Sequence, residues 1–429
     1  MTTQTLQATT ETTEPRARTY DAIGVGFGPS NLALAAALHE TLPPSMDFSY
    51  RFLEKNPSFV WHGNMLLDNS RMQISFMKDL VTLRNPMSRY SFINYLKQKG
   101  RLQDFINLGT FYPSRHEFND YLSWVAAHFN AYCDYGEEVV AIEPEQSQGQ
   151  VALLRVRSRS SDGRENDRLA RNVVIGVGGT PNIPDAFRSC RGHPRVFHSS
   201  RYLQAMAPLG APERVAIVGS GQSAAEIFLD LHDRQPAARI DLISRAPALK
   251  PADSSPFVNQ IFNTDYTDYV YRRPACNRQH LQSQFRNTNY SVVDLELIET
   301  IFDVMYQQKV TATQRHDILF RSHVGHVAAD RHGIRLDIVC LDGGERTTRC
   351  YDAVVLATGY RRHHHKELLK PLRPYLIEDQ VNRDYRVGTT PDCQPAIFLQ
   401  GCCEATHGLS DTLLSVLPVR AQEIIDAMV

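Results

Sequence analysis

The chain has 429 residues, of which 42% are apolar, with 46 basic and 47 acidic side chains. That length allows two or three domains with large buried cores, and the near-neutral balance argues against nucleic acid or an anionic membrane as partner. No segment approaches the roughly 20 apolar residues of a bilayer span. The eight cysteines form no CxxC pair or zinc-type spacing, so they read as reduced thiols of a cytoplasmic protein with no metal site.

Met1 to Arg18 is rich in Thr, Gln and Glu and reads as a disordered polar leader, without the apolar run of a signal peptide. Tyr20 to Gly24 is a buried strand, followed by the turn Gly24-Val25-Gly26-Phe27-Gly28-Pro29-Ser30-Asn31 and a helix from Ser30 to Leu38. This order makes a pyrophosphate cradle, because glycine lets backbone approach the anion and the helix dipole faces it. Tyr50 to Leu53 is a second strand ending in Glu54, where such a unit places the acid that holds an adenosine ribose. Trp61 to Asn85 has no clean periodicity but many polar and aromatic residues, which suits loops lining a site. Tyr90 to Lys99 and Arg115 to Phe129 read as amphipathic helices, and Glu138 to Ile142, Val151 to Ser158 and Asn172 to Val177 as strands.

Arg214 to Val218 opens a second unit, with the turn Gly219-Ser220-Gly221-Gln222-Ser223 and Ala224 in place of a third glycine. Its second strand, Arg239 to Ser244, ends in Arg245 where an acid would hold NADH. A guanidinium suits a 2′-phosphate, so NADPH is favoured, although an arginine there is also an ordinary solvated surface residue. Residues Ala252 to Gln308 turn helical and aromatic, with helices over Leu281 to Asn289 and Asp294 to Gln307. Tyr351 to Ala357 is a buried strand, and Ala396 to Gln400 with a helix to Met428 returns to the first domain. Two dinucleotide turns in one chain point to electron transfer from a nicotinamide to a flavin. The expected fold is α/β, with two Rossmann-like dinucleotide-binding domains and a small helical substrate-binding region. FAD takes 20–205 and 356–429, and NADPH takes 206–355 with a helical insertion over about 252–310.

Longer strings carry a resemblance: GVGFGPSNLALA at 24–35, FLEKNPSFVWHGNM at 52–65, MQISFMKDLVTLRNPMSRYSFINYL at 72–96 and INLGTFYPSRHEFNDYLSWV at 106–125. Others are GSGQSAAEIFLDL at 219–231, KPADSSPFVNQIF at 250–262, NTNYSVVD at 287–294, ATGY at 357–360 and THGLSDTLLSVLPVRAQEI at 406–424. The chain resembles the N-hydroxylating flavoprotein monooxygenases, above all the L-ornithine N5-monooxygenases of hydroxamate-siderophore biosynthesis. The resemblance implies that NADPH reduces FAD, that the reduced flavin captures dioxygen as a C4a-hydroperoxide, and that the side-chain amine of L-ornithine takes the distal oxygen. L-Lysine or a diamine such as cadaverine or putrescine is the alternative substrate, and an NADPH oxidase or redox sensor the alternative function. A flavin disulfide reductase would need a spaced cysteine pair that is missing.

The same resemblance places residues. Gly24, Gly26, Gly28, Pro29, Ser30 and Asn31 would form the FAD turn, with Glu54, Lys55, Trp61, His62 and Gln73 along the cofactor and Val139 meeting its adenine through backbone. Thr412, Leu413 and Leu414 would cover the flavin and Ser415 would border the substrate. Lys78 and Asn259, with Gln260, Ile261 and Phe262 beside them, would hold the amino acid, and Asn289 would bridge NADPH and substrate. Gly219, Ser220, Gly221, Gln222 and Ser223 would cradle the NADPH pyrophosphate, with Arg245 on its phosphate. No side-chain triad is required, and the enzyme could be a homo-oligomer. Taken alone, Lys78 is a solvated charge, Asn259 a loop amide, Trp61 a core aromatic and His62 a core histidine. His363-His364-His365 reads as a solvated loop and Cys402-Cys403 as buried free thiols, since a vicinal disulfide is strained.

Overall fold

A computed structural model describes residues 18–330 and 333–429, so the leader up to residue 17 lies outside the described residues. Thr19–Val25 is buried almost throughout its second half, as a central strand covered on both faces must be. It lies between Tyr50–Glu54 and Glu165–Ile175, both parallel to it, and Cys133–Tyr135 extends the sheet beyond Tyr50–Glu54. The helix Pro29–Thr41 buries every residue from Asn31 to Leu38, because it packs against the C-terminal helix Leu417–Met428 within the larger hydrophobic core.

Glu137–Ser147, Gln150–Ser160 and Glu165–Ile175 form an antiparallel meander, longer than its apolar stretches foretell. Cross-strand ion pairs carry the hairpins outward: Arg155 meets Glu145 and Asp167, and Arg157 meets Glu143 and Glu165. Ala396–Leu399 lies parallel to the last residues of Glu165–Ile175, which brings the end of the chain back to the first sheet.

The second sheet has five strands, all parallel, in the order Asp317–Leu319, Arg239–Ile243, Arg214–Val218, Ala353–Leu356 and Val196–His198. Val196–His198 precedes residue 206 in the chain, yet it pairs here with Ala353–Leu356. A third sheet, Ser322–Asp330, Gly333–Cys340 and Arg346–Tyr351, is antiparallel and packs on the second through its own small core. Between 252 and 310 the helices are Thr264–Tyr271, Ala275–Phe285 and Leu295–Val310. The helix expected over Leu281 to Asn289 thus starts at Ala275 and stops at Phe285. Pro274 sets its start, where a missing N–H breaks no helical bond, and Arg286–Thr288 tighten into a 3-10 turn after it.

Candidate active site

At the first turn a side chain on Gly24 would stand 2.2 Å from the Phe52 ring, and one on Gly26 would stand 2.8 Å from the Gly176 carbonyl oxygen. Gly26 also has φ +81°, so both positions demand glycine. Gly28 is different: no atom lies within 4 Å of where its Cβ would be, and it leaves the helix N-terminus without a side-chain cap. Pro29 follows inside the first helical turn, where no N–H is missed. The turn is therefore tight behind and open at Gly28, where the helix N–H groups have no side-chain cap.

Ser30 and Asn31 brace this turn. Asn31 is fully buried; its Nδ2 donates to the Val25 and Gly26 carbonyls at 3.2 and 2.6 Å, and its Oδ1 accepts from Gln400 Nε2 at 2.8 Å. The expected contact of Asn31 with cofactor is thus corrected, because its amide is spent on protein and exposes no surface. Ser30 Oγ accepts from Arg420, whose guanidinium also donates to Asp411 Oδ1 at 2.9 Å in a pair closed to solvent. Glu54 Oε2 accepts from Phe27 N at 2.7 Å and Oε1 from the Asn56 backbone and amide, which leaves about one of its four acceptor positions for a hydroxyl. Lys55 is exposed beside it. At Val139 the meander shifts register before Ala141, a bulge that interrupts the ladder and frees backbone groups.

The second turn repeats the logic. Gly219 has φ +147°, and a Cβ there would lie 2.3 Å from the Ala357 carbonyl oxygen. Gly221 begins the helix Gln222–Arg234, again without a side-chain cap. Gly219, Ser220, Gly221, Gln222 and Ser223 line a cavity of about 2500 Å³ together with Gln73, Arg245 and Asn289. Arg245 is exposed there and makes no hydrogen bond or ion pair among the described residues, so its fork of donors is free for phosphate. Gln222 is committed: Nε2 donates to Asp294 Oδ2 at 3.0 Å and to Glu226 Oε1 at 3.1 Å, and Oε1 accepts from Asp294 N at 2.9 Å. Only its backbone remains for a cofactor.

Trp61 is anchored by its backbone N–H, which donates to Asn119 Oδ1 at 2.8 Å, and its ring meets His62 edge-on at 4.5 Å. His62 has φ +53°, a strained conformation for a residue with a side chain. The protein around it, then Arg115 and Arg362, hold its imidazole below the usual pKa, so it is neutral at pH 7 although one edge stays exposed. Gln73 Nε2 donates to Asp294 Oδ1 at 3.0 Å. Lys78 is half-buried, its ammonium has no hydrogen bond or ion pair among the described residues, and burial alone lowers its pKa.

Asn259 lies in the short turn Val258–Phe262, which packs on Leu409–Thr412; its Nδ2 donates to the Ser254 carbonyl at 2.9 Å, leaving Oδ1 free to accept. Gln260 is exposed and Phe262 half-buried, but Ile261 is a core side chain, so its expected substrate contact is corrected to packing beneath the turn. Asn289 precedes Tyr290, whose Oη reaches Glu404 Oε2 at 2.5 Å and Thr412 Oγ1 at 3.4 Å. That link ties the cavity wall to Thr412, Leu413, Leu414 and Ser415. Ser415 Oγ is buried without a hydrogen-bond partner, an orphan of the kind a bound ligand satisfies. Lys78, Asn259 and Ser415 stand outside the lining of the large cavity itself.

The histidine tract departs from expectation. His364–Leu368 is helical, and His365 is buried against the cavity wall near Cys402, not solvated. No group of three His, Cys, Asp or Glu that could hold a metal occurs among the described residues. Cys402 and Cys403 are free thiols, Cys403 buried and Cys402 half-buried.

A profile of the L-lysine 6-monooxygenase/L-ornithine 5-monooxygenase family matches residues 18–362. The chain belongs to this family. An L-ornithine N(5)-monooxygenase of Pseudomonas aeruginosa is 53% identical over 409 residues, covering 94% of this chain and 92% of the relative. The solved ornithine hydroxylase PvdA from Pseudomonas aeruginosa superposes with a TM-score of 0.92 over 96% of this chain and 98% of its own. A Kutzneria sp. 744 ornithine N-hydroxylase, KtzI, with reduced FAD, NADP+ and L-ornithine, is 37% identical with a TM-score of 0.89, covering 96% of this chain and 99% of that one.

In this lysine/ornithine monooxygenase the residues fit two dinucleotides: two glycine turns closed to a Cβ at Gly24, Gly26 and Gly219, two uncapped helix starts and an unpaired arginine beside the second. Motif reading missed the groups that hold the turns in place, namely Gln400, Asp411 and Arg420 for the first and Glu226 and Asp294 for the second. Burying charges such as Asp411 and Arg420 requires a partner, but nothing in the sequence says which of many arginines that partner is.

Proposed function

We infer that this chain is an FAD- and NADPH-dependent monooxygenase that hydroxylates the side-chain amine of L-ornithine, giving N5-hydroxyornithine for siderophore biosynthesis. The observation that carries this reading is the hydrogen-bonded bridge Gln73–Asp294–Gln222, which ties the loop expected along the flavin to the turn expected under NADPH. The unit built on the first sheet, from residues 20–175 and 396–429, would hold FAD, and the unit built on the second sheet, from Val196–His198 and residues 214–356, would hold NADPH, with 252–310 contributing to the substrate site. The first turn would take the FAD pyrophosphate on the open side of Gly28, with Glu54 on the ribose. The second would take that of NADPH, with Arg245 on the 2′-phosphate.

Bound FAD, reduced by NADPH, supplies activated oxygen drawn from dioxygen. The chain's own residues present the amine. The uncompensated ammonium of Lys78 favours a substrate with a carboxylate, so an amino acid fits better than a diamine. Asn259 Nδ2 uses one N–H on the Ser254 carbonyl, and its Oδ1 stays free to accept an N–H from the substrate amine. A free alkyl amine has a pKa near about 10.4, so the site must select or stabilise its neutral form. All eight cysteines are free, as in a reducing cytoplasm, and no helix among the described residues is long and apolar enough to cross a membrane.

The test is product formation by the purified holoenzyme with NADPH and ornithine, lysine, putrescine or cadaverine, with peroxide measured in parallel. Ornithine should give the most hydroxylamine and lysine about 10- to 200-fold less, the value of one methylene in a fitted pocket. Equal product from lysine or a diamine, or peroxide alone, would overturn the reading.

A further inference from the structure

Asp294 stands at the N-cap of Leu295–Val310, a position where aspartate ordinarily accepts hydrogen bonds from the first turn of its own helix. Here its side chain makes no such cap. Oδ1 instead accepts from Gln73 Nε2 at 3.0 Å and Oδ2 from Gln222 Nε2 at 3.0 Å, while its backbone N–H donates to Gln222 Oε1 at 2.9 Å. The chain of contacts continues from Gln222 to Glu226 at 3.1 Å, and Glu226 takes both terminal nitrogens of Arg115, at 2.9 and 2.7 Å, in a largely buried pair. Arg115 opens the helix Arg115–Ala127 and also donates to the Met65 carbonyl at 2.9 Å. Two residues from the flavin-side loops, Gln73 and Arg115, are thereby joined to two from the nicotinamide-side helix, Gln222 and Glu226.

We propose that Asp294 is a positioning residue for hydride transfer, which sets the second glycine turn at a fixed distance and angle from the flavin-side loop. The proposal rests on the function inferred above. Asp294 gives up the capping bond to its own helix for bonds that cross between the units. Because the Asp294 carboxylate has only acceptors, it fixes both glutamine amides with Nε2 inward. Gln222, which is part of the second turn, then cannot rotate without losing three bonds together. Hydride transfer tolerates little misplacement, whereas binding of a long dinucleotide draws on many contacts spread along it.

The test compares wild type, Asp294→Asn and Asp294→Ala as FAD-loaded proteins, mixed anaerobically with NADPH and without any amine. The readouts are FAD content, NADPH affinity and the limiting rate of flavin reduction. Asparagine keeps one acceptor and turns a donor toward the other glutamine, so it should act partially. FAD content should stay unchanged and NADPH Kd should move by less than about threefold, while the reduction rate falls about 10- to 100-fold in the alanine variant and less in the asparagine variant. An unchanged reduction rate in both variants would overturn the proposal. Loss of FAD or of NADPH affinity in proportion to the rate would overturn it too, assigning Asp294 a purely structural role. Should the alanine variant not fold, Asp294→Asn alone decides by the same split between Kd and rate. A wild type whose flavin NADPH does not reduce would instead defeat the functional reading.

Discussion

The two glycine turns are built from the same strand, turn and helix, yet they are held differently. Behind the first lie Asn31, Gln400 and the Arg420–Asp411 pair, all of them sealed from solvent. Around the second lie half-exposed amides, an arginine with no partner and a cavity of about 2500 Å³. One turn is embedded in the core of its unit and the other forms the wall of an open cleft. A cofactor that stays bound through many turnovers suits the first setting, and one that must leave after each hydride suits the second.

The sharpest way to break this contrast is at Arg420. Replacing it with alanine strands the Asp411 carboxylate in the core, and unfolding by denaturant should show a loss of about 3–5 kcal/mol, with FAD content falling in parallel. A variant that keeps full FAD and stability would show that the buried brace is not what holds the first turn. At Lys78, alanine removes the one expected carboxylate partner, and ornithine KM should rise about 10- to 100-fold with NADPH oxidation uncoupled from hydroxylation. Unchanged ornithine kinetics would remove Lys78 from the site. Arg245→Ala probes the open turn by itself: the preference for NADPH over NADH should narrow about tenfold while FAD binding holds. An intact preference would return Arg245 to the surface.

The mildest effect is on pH. His316 is buried with Nδ1 accepting from Ile240 N at 3.2 Å and Nε2 at 3.0 Å from His232 Nδ1, and burial, then Arg315 and His232, push its pKa down to about 4. The unfolded chain binds the proton at the ordinary value near about 6.5. Its contribution to stability is therefore complete above that value and drains away as pH falls toward 4. Melting temperatures of wild type and His316→Gln across that interval should converge as the medium becomes acidic.

The fold was legible wherever local pattern and packing agree. Buried strands, glycine turns and the small-residue helix Asn31 to Leu38 all announce themselves within a dozen residues. The meander ran longer than expected because its ends are held by arginine–carboxylate pairs across strands, which no apolar alternation reveals. At the site, Gly24, Gly26 and Gly219 were readable because close backbone approach admits one residue type. Asn31 and Ile261 were misassigned because a motif records that a residue sits at a site, not which way it faces. Asp294 was invisible for a different reason: its partners Gln73 and Gln222 are brought to it only by the tertiary fold.

The brace behind the first turn has a consequence for biogenesis. Residues 24–31 leave the ribosome long before Gln400, Asp411 and Arg420, which hold that loop in shape, have been made. The nascent polypeptide therefore cannot finish this turn until synthesis has passed residue 420, and a message cut short before that point yields a product whose first glycine turn has no brace.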